Sequence, residues 1–137
     1  MKKVLLLVAL MAAFVLTGCN NNGVSKLPED LRTTVEIMDE MYSTIFGKMD
    51  IVDYKGVKVE DHDIVFTMKF GREATQGESL YSMSQELKES AIGNMGTGAA
   101  AVRNLLQESG YTLVFRLKCE GEVEDARISY SDIPSYY

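Results

Sequence analysis

Ile64-Val65-Phe66-Thr67-Met68-Lys69-Phe70 decides the fold. Ile64, Phe66, Met68 and Phe70 alternate with Val65, Thr67 and Lys69, and a period of two sets the first four on one face of a strand. One face is apolar and the other mixed, so this strand covers a core on one side. Upstream, Glu60-Asp61-His62-Asp63 is short and polar, as a hairpin turn requires. Before it, Ile51 to Val59 is rich in Val, Ile and Tyr. The two runs therefore read as a β-hairpin.

Downstream, Gly71 to Gly77 reads as a loop, and from Glu78 to Ser109 the period changes. Leu80, Met83, Leu87, Ala91, Asn94, Gly98, Val102 and Leu105 recur every three or four residues, the spacing of one helical face. Gly93, Gly96 and Gly98 interrupt that run, each costing about 1 kcal/mol against alanine in a helix interior. The apolar phase nevertheless continues past them, which favours one long helix, bent or frayed at Gly93–Gly98, over two. Gly110 ends it. Leu113, Phe115, Leu117 and Cys119 then alternate as a third strand; Glu120-Gly121-Glu122 turns the chain, and Ala126, Ile128 and Tyr130 alternate as a fourth.

At the other end of the domain, Leu27-Pro28-Glu29-Asp30 opens a first helix with proline and acids in its first turn, where the helix dipole favours them. Leu31, Val35, Met38, Tyr42 and Ile45 form its buried stripe, and Gly47 ends it. The order αββαββ predicts an α+β domain: an antiparallel sheet of about four strands packed against two helices, the second long.

The segment before this domain has a different physics. Lys2 and Lys3 precede an apolar run from Val4 to Val15, the length of a signal-peptide core and too short to span a bilayer. The run ends in Leu16-Thr17-Gly18-Cys19, which resembles the bacterial lipobox. That resemblance implies cleavage between Gly18 and Cys19 and a diacylglyceryl thioether on Cys19, with a further acyl chain such as palmitate on its amine. The chain then divides into a signal peptide (1–18), a lipidated cysteine with a polar tether Asn20-Asn21-Asn22-Gly23-Val24-Ser25-Lys26 (19–26), and one domain (27–137). The implied location is a cell membrane or outer membrane, lipid-anchored and facing outside the cytoplasm.

Cleavage would leave 119 residues, enough for one domain with a real core. It would remove two lysines and no acid, deepening the net charge from −6 to −8. So acidic a surface argues against a nucleic-acid partner, which demands clustered Lys and Arg, and against a domain lying flat on anionic lipid. Attachment falls to the acyl chains, of which two anchor stably and one only marginally. With Cys19 acylated, Cys119 has no disulfide partner.

No candidate for chemistry outweighs its plainer alternative. His62, the sole histidine, shares its acidic turn with Glu60, Asp61 and Asp63, but adjacent turn side chains diverge and no second cluster of metal ligands accompanies them. Gly93-Asn94-Met95-Gly96-Thr97-Gly98 lies inside a helical pattern, whereas phosphate-cradling loops follow a strand; it reads as a helix bend or a close helix–sheet contact. Cys119 sits on an apolar strand face and reads as a buried, inert thiol. Met38, Met41, Met49, Met68, Met83 and Met95 are scattered across several elements, and core filling is a better account of them than a copper(I) site. Tyr136 and Tyr137 could form an exposed aromatic contact. No catalytic residue, metal ligand or cofactor-binding residue is assigned; the covalent lipid at Cys19 is the only attached group expected.

The pattern resembles a set of small bacterial lipoproteins of unknown function, carrying a lipobox, a polar tether and one helix–hairpin–long helix–hairpin domain. The likeness is borne by Val57-Lys58-Val59, the turn, Ile64 to Phe70, and the long helix ending before Tyr111. It implies fold and location and brings no active-site residues. The expectation is a non-catalytic, membrane-tethered binding or accessory module with an unknown protein partner. The alternatives are a small-ligand carrier or enzyme with its site in a helix–sheet cleft, or an inhibitor of an exported enzyme.

Overall fold

The computed structural model describes residues 23–134. The signal segment, Gly18, Cys19 and the Tyr136–Tyr137 tail lie outside them. Helix α1 (Glu29–Gly47) leads into β1 (Val52–Glu60) and β2 (Asp63–Phe70). The chain then passes through the short α2 (Arg72–Thr75), α3 (Leu80–Met95) and α4 (Ala99–Ser109) into β3 (Thr112–Cys119) and β4 (Glu122–Ile128). The sheet order is β1-β2-β3-β4.

The domain is α+β, but its sheet is mixed rather than wholly antiparallel. Both hairpins pair as expected, while β2 and β3 run parallel, with Ile64 opposite Leu113 and Phe66 opposite Phe115. The cause lies in the connection. β2 ends at Phe70, at the far end of the sheet from the β1–β2 turn, and α3 and α4 together carry the chain back. The Thr112 amide then donates to the His62 carbonyl at 2.9 Å, so β3 starts where β2 started and must run the same way.

The helical stretch is two helices, not one. Gly96 takes φ +52°, ψ −126°, a conformation denied to residues with a Cβ, and a 3₁₀ turn over Gly96–Gly98 separates α3 from α4. A Cβ built at Gly93, Gly96 or Gly98 would meet nothing within 4 Å, so backbone conformation, not close approach to the sheet, accounts for the break. It also moves the buried positions by one: Ala99 and Leu106 are fully buried, where the unbroken pattern placed Gly98 and Leu105.

Helix α1 packs on β1, and α3 packs on β3 and β4. Between them the core is built from Leu31 and Val35 of α1, Ile64, Phe66 and Met68 of β2, and Leu113, Phe115 and Leu117 of β3, all at most 2% exposed. Cys119 is a buried free thiol there. Ile45 is an exception to the α1 stripe: it is exposed, and Phe46 packs inward instead. The packed domain also begins earlier than composition implies. Val24, assigned above to the polar tether, lies in a 3₁₀ turn (Val24–Lys26) and is buried in the core beside Leu27.

Strand β1 escapes strict alternation because it carries a bulge. Tyr54 pairs with Met68 and Gly56 with Thr67, so Lys55 is extra and the phase slips by one. The slip sets Val52 and Tyr54 on the same face as Val57 and Val59. Gly56 makes it possible with φ +97°. Gly56→Ala should therefore cost about 1–2 kcal/mol through backbone strain alone, since a Cβ there meets open space. Urea unfolding would read the loss, and an unchanged midpoint would refute the bulge's dependence on glycine.

The opposite face of the sheet is a charged lattice. Arg116 grips Asp125 through Nε at 2.9 Å and Nη2 at 3.1 Å, and reaches Glu60 through Nη1 at 3.0 Å. Lys58 also meets Glu60, at 2.7 Å, and Arg127 forks onto Asp63 at 2.6 and 3.0 Å. Val65 and Val114 are fully buried on this face, side by side in the cross-strand row that Lys58 and Arg127 flank. The aliphatic stems of such side chains cover apolar surface while their heads stay wet.

Candidate functional site: a methionine-lined groove

Helices α1 and α3 sit on different strands of the same sheet face, and a groove runs between them. One half, about 420 Å³, is walled by Met38, Met41, Tyr42 and Ile45 of α1 and by Leu87 and Met95 of α3. The other, about 380 Å³, continues past Phe46 and Leu87 toward Met49, Ile51, Phe70 and Met83, with Met68 and Leu117 at the sheet. Phe46, Leu87 and Ser90 line both halves, so the two form one trough.

All six methionines downstream of the signal segment line this trough: Met38, Met41 and Met95 in one half, and Met49, Met68 and Met83 in the other. Their scatter along the chain concealed this. Met68 is buried in the core and Met38, Met83 and Met95 pack against it, as core filling requires, while Met41 and Met49 are exposed. The α1 lip and the connection after it add half-exposed apolar side chains: Ile37 at 54%, Met41 at 51%, Ile45 at 49%, Met49 at 45% and Ile51 at 50%. A monomer rarely leaves so contiguous an apolar surface without a use. Thioether side chains are unbranched and polarisable, and they suit surfaces that must adapt to what they cover. The helical period did contain the signal: Ile37, Met41 and Ile45 recur at i, i+4 and i+8, a second apolar stripe beside the buried one.

A cluster of aromatic rings lies beneath the groove. Tyr42 sets its ring edge against Phe66 at 5.5 Å and Phe115 at 5.6 Å, and Phe66 stacks on Phe115 at 5.4 Å. Behind it, the Tyr54 hydroxyl donates to Asp39 at 2.7 Å, tying α1 to β1. Burial pushes the Tyr42 and Tyr54 hydroxyls up, and for Tyr54 the Asp39 carboxylate adds to the effect, so both stay protonated.

The residues singled out for chemistry are not assembled there. His62 sits exposed in the two-residue turn, within 3.3 Å of Asp61 and with its ring 5.6 Å from Tyr111. Glu60 and Asp63 are held by the sheet's basic side chains. Among the described residues no group of three or more His, Cys, Asp and Glu could hold a metal ion. No described helix is long and apolar enough to cross a membrane.

No protein-family model matches the chain, and no curated protein matches it. Among solved structures it is similar to a pilotin from the Vibrio vulnificus type 2 secretion system, EpsS, at 15% identity and a TM-score of 0.44, covering 75% of this chain and 94% of that one. So faint a likeness assigns nothing to this chain.

Proposed function

We propose that this protein is a lipid-tethered accessory module outside the cytoplasm, acting without catalysis by seating an apolar segment of a partner protein in the methionine groove. The observation that carries this reading is the convergence of six dispersed methionines on one open trough. The tether rests on Leu16-Thr17-Gly18-Cys19. Since the described residues start at Gly23, at most Asn20–Asn22 separate them from Cys19, which limits the reach to about 14 Å at full extension. The groove would thus work close to the membrane.

Photo-crosslinking in intact cells tests both halves of the proposal. A photoreactive residue at Met41 or Met95 should give discrete protein adducts, and the same residue at Lys118, on the charged face, should give none. Equal labelling from all three positions would sink the groove. Cys19→Ala should leave the chain unprocessed or release it from the membrane fraction. A processed variant that stays with the membrane would rule out the lipid anchor.

A further inference from the structure

The groove's walls constrain what can lie in it. α1 and α3 are helices, whose backbone donors and acceptors are satisfied internally. An extended segment between them would bury its own N–H and C=O groups with no ladder to join, at a cost of about 1–3 kcal/mol for each group left unpaired. A helical segment carries its hydrogen bonds with it. The α3 wall, Leu80–Met95, is 16 residues or about 24 Å long at a rise of about 1.5 Å per residue, with Glu78 just beyond its N-terminus. That length suits four to five helical turns.

Charge supplies the second constraint. The acidic side chains lining the trough and its α1 lip are Glu40, Glu78 and Glu86; none of the lining residues is Lys, Arg or His. Glu78 accepts from the Ser82 hydroxyl at 2.9 Å. The neighbouring Glu78 carboxyl, through hydrogen bonding and its negative charge, holds the Glu86 carboxyl above its ordinary range, with lesser contributions from burial and from Glu89. Glu78 and Glu86 both line the same half of the trough, and two carboxylates on an otherwise apolar wall favour a cationic partner.

We propose that the groove binds an amphipathic helix of a partner protein, four to five turns long, whose apolar face meets the methionines and whose Lys or Arg side chains sit at the Glu78–Glu86 end. This deepens, and rests on, the reading of the trough as a docking site. Helix-in-groove recognition reads apolar anchors at i, i+3, i+4 and i+7, and the basic end would set the direction in which the helix lies.

The test uses the full lipidated chain in phosphatidylcholine nanodiscs and three labelled 18-residue Leu/Ala peptides, ending in Lys-Lys, Gln-Gln or Glu-Glu. Fluorescence anisotropy should show the Lys peptide binding about tenfold or more tighter than the Glu peptide, an advantage that shrinks in high salt. Glu78→Gln with Glu86→Gln should bring the Lys peptide to the level of the Gln peptide. Met41→Ser with Ile45→Ser, at exposed positions whose change leaves the core intact, should weaken all three; circular dichroism checks the fold. Equal binding of the three peptides, still weakened by the serine variant, would keep the groove and overturn the basic requirement. Binding of none would overturn the groove as well. Lys-peptide binding that ignores both variants and appears equally on empty nanodiscs would mean membrane adsorption, and overturns the proposal.

Discussion

Phe115→Ala should remove about 3–5 kcal/mol of stability, the range for truncating a buried phenylalanine. Phe115 is fully buried at the centre of the parallel β2–β3 pair, stacked on Phe66 and capped by the edge of Tyr42. Across β4 its neighbour is Ala126, too small to swing into the space left behind. The loss therefore combines transfer of the ring with a cavity that three rigid neighbours cannot close. Against a total of about 5–15 kcal/mol for a typical domain, that is enough to leave the variant partly unfolded at physiological temperature. Phe115→Leu, which keeps most of the volume, should cost far less. Urea unfolding of both variants gives the comparison; a similar loss in each would mean that ring stacking, not volume, is what the site supplies. Because Tyr42 also lines the groove, Phe115→Ala should loosen binding even where folding survives.

The sequence made the four strands and the first helix legible, for a physical reason: each buries one face, and one-sided burial imprints a period. Ile64, Phe66 and Met68, and Leu113, Phe115 and Leu117, sit inside as alternation requires. The parallel middle pair left no such imprint, because strand direction depends on how far the intervening helices travel and not on which face is apolar. Continuity of phase through Gly93–Gly98 argued for one helix, yet the Gly96 torsion broke the helix and moved the buried positions by one. The groove was the least legible feature. Its residues come from α1, β1, β2, α2, α3, α4 and β3, and its two exposed methionines, Met41 and Met49, look like core filling until the elements are assembled. Only the second stripe, Ile37-Met41-Ile45, announced a face that the other described residues leave exposed.

The charged face of the sheet should show its value most clearly at Arg116. This guanidinium, largely shielded, joins Asp125 of β4 to Glu60 of β1 across two intervening strands. Arg116→Ala removes both charge-assisted contacts and the stem beside Val114, and should cost about 1–3 kcal/mol at neutral pH. Arg116→Met restores the stem and should recover part of that, which separates packing from charge. The pH dependence then identifies the partner. Hydrogen bonds from Lys58 first, and from Arg116 second, lower the Glu60 carboxyl to about 2 from an ordinary 4.5. The ionised form is the one the fold stabilises, so the contribution is complete above about pH 4.5 and fades as pH falls toward 2. Partial exposure of Glu60 keeps the effect modest. Denaturant midpoints of the parent and Arg116→Met should therefore differ most at pH 7 and draw together near pH 2. A gap that stays constant over that range would show that Arg116 stabilises the domain by packing, and that its ion pairs contribute nothing.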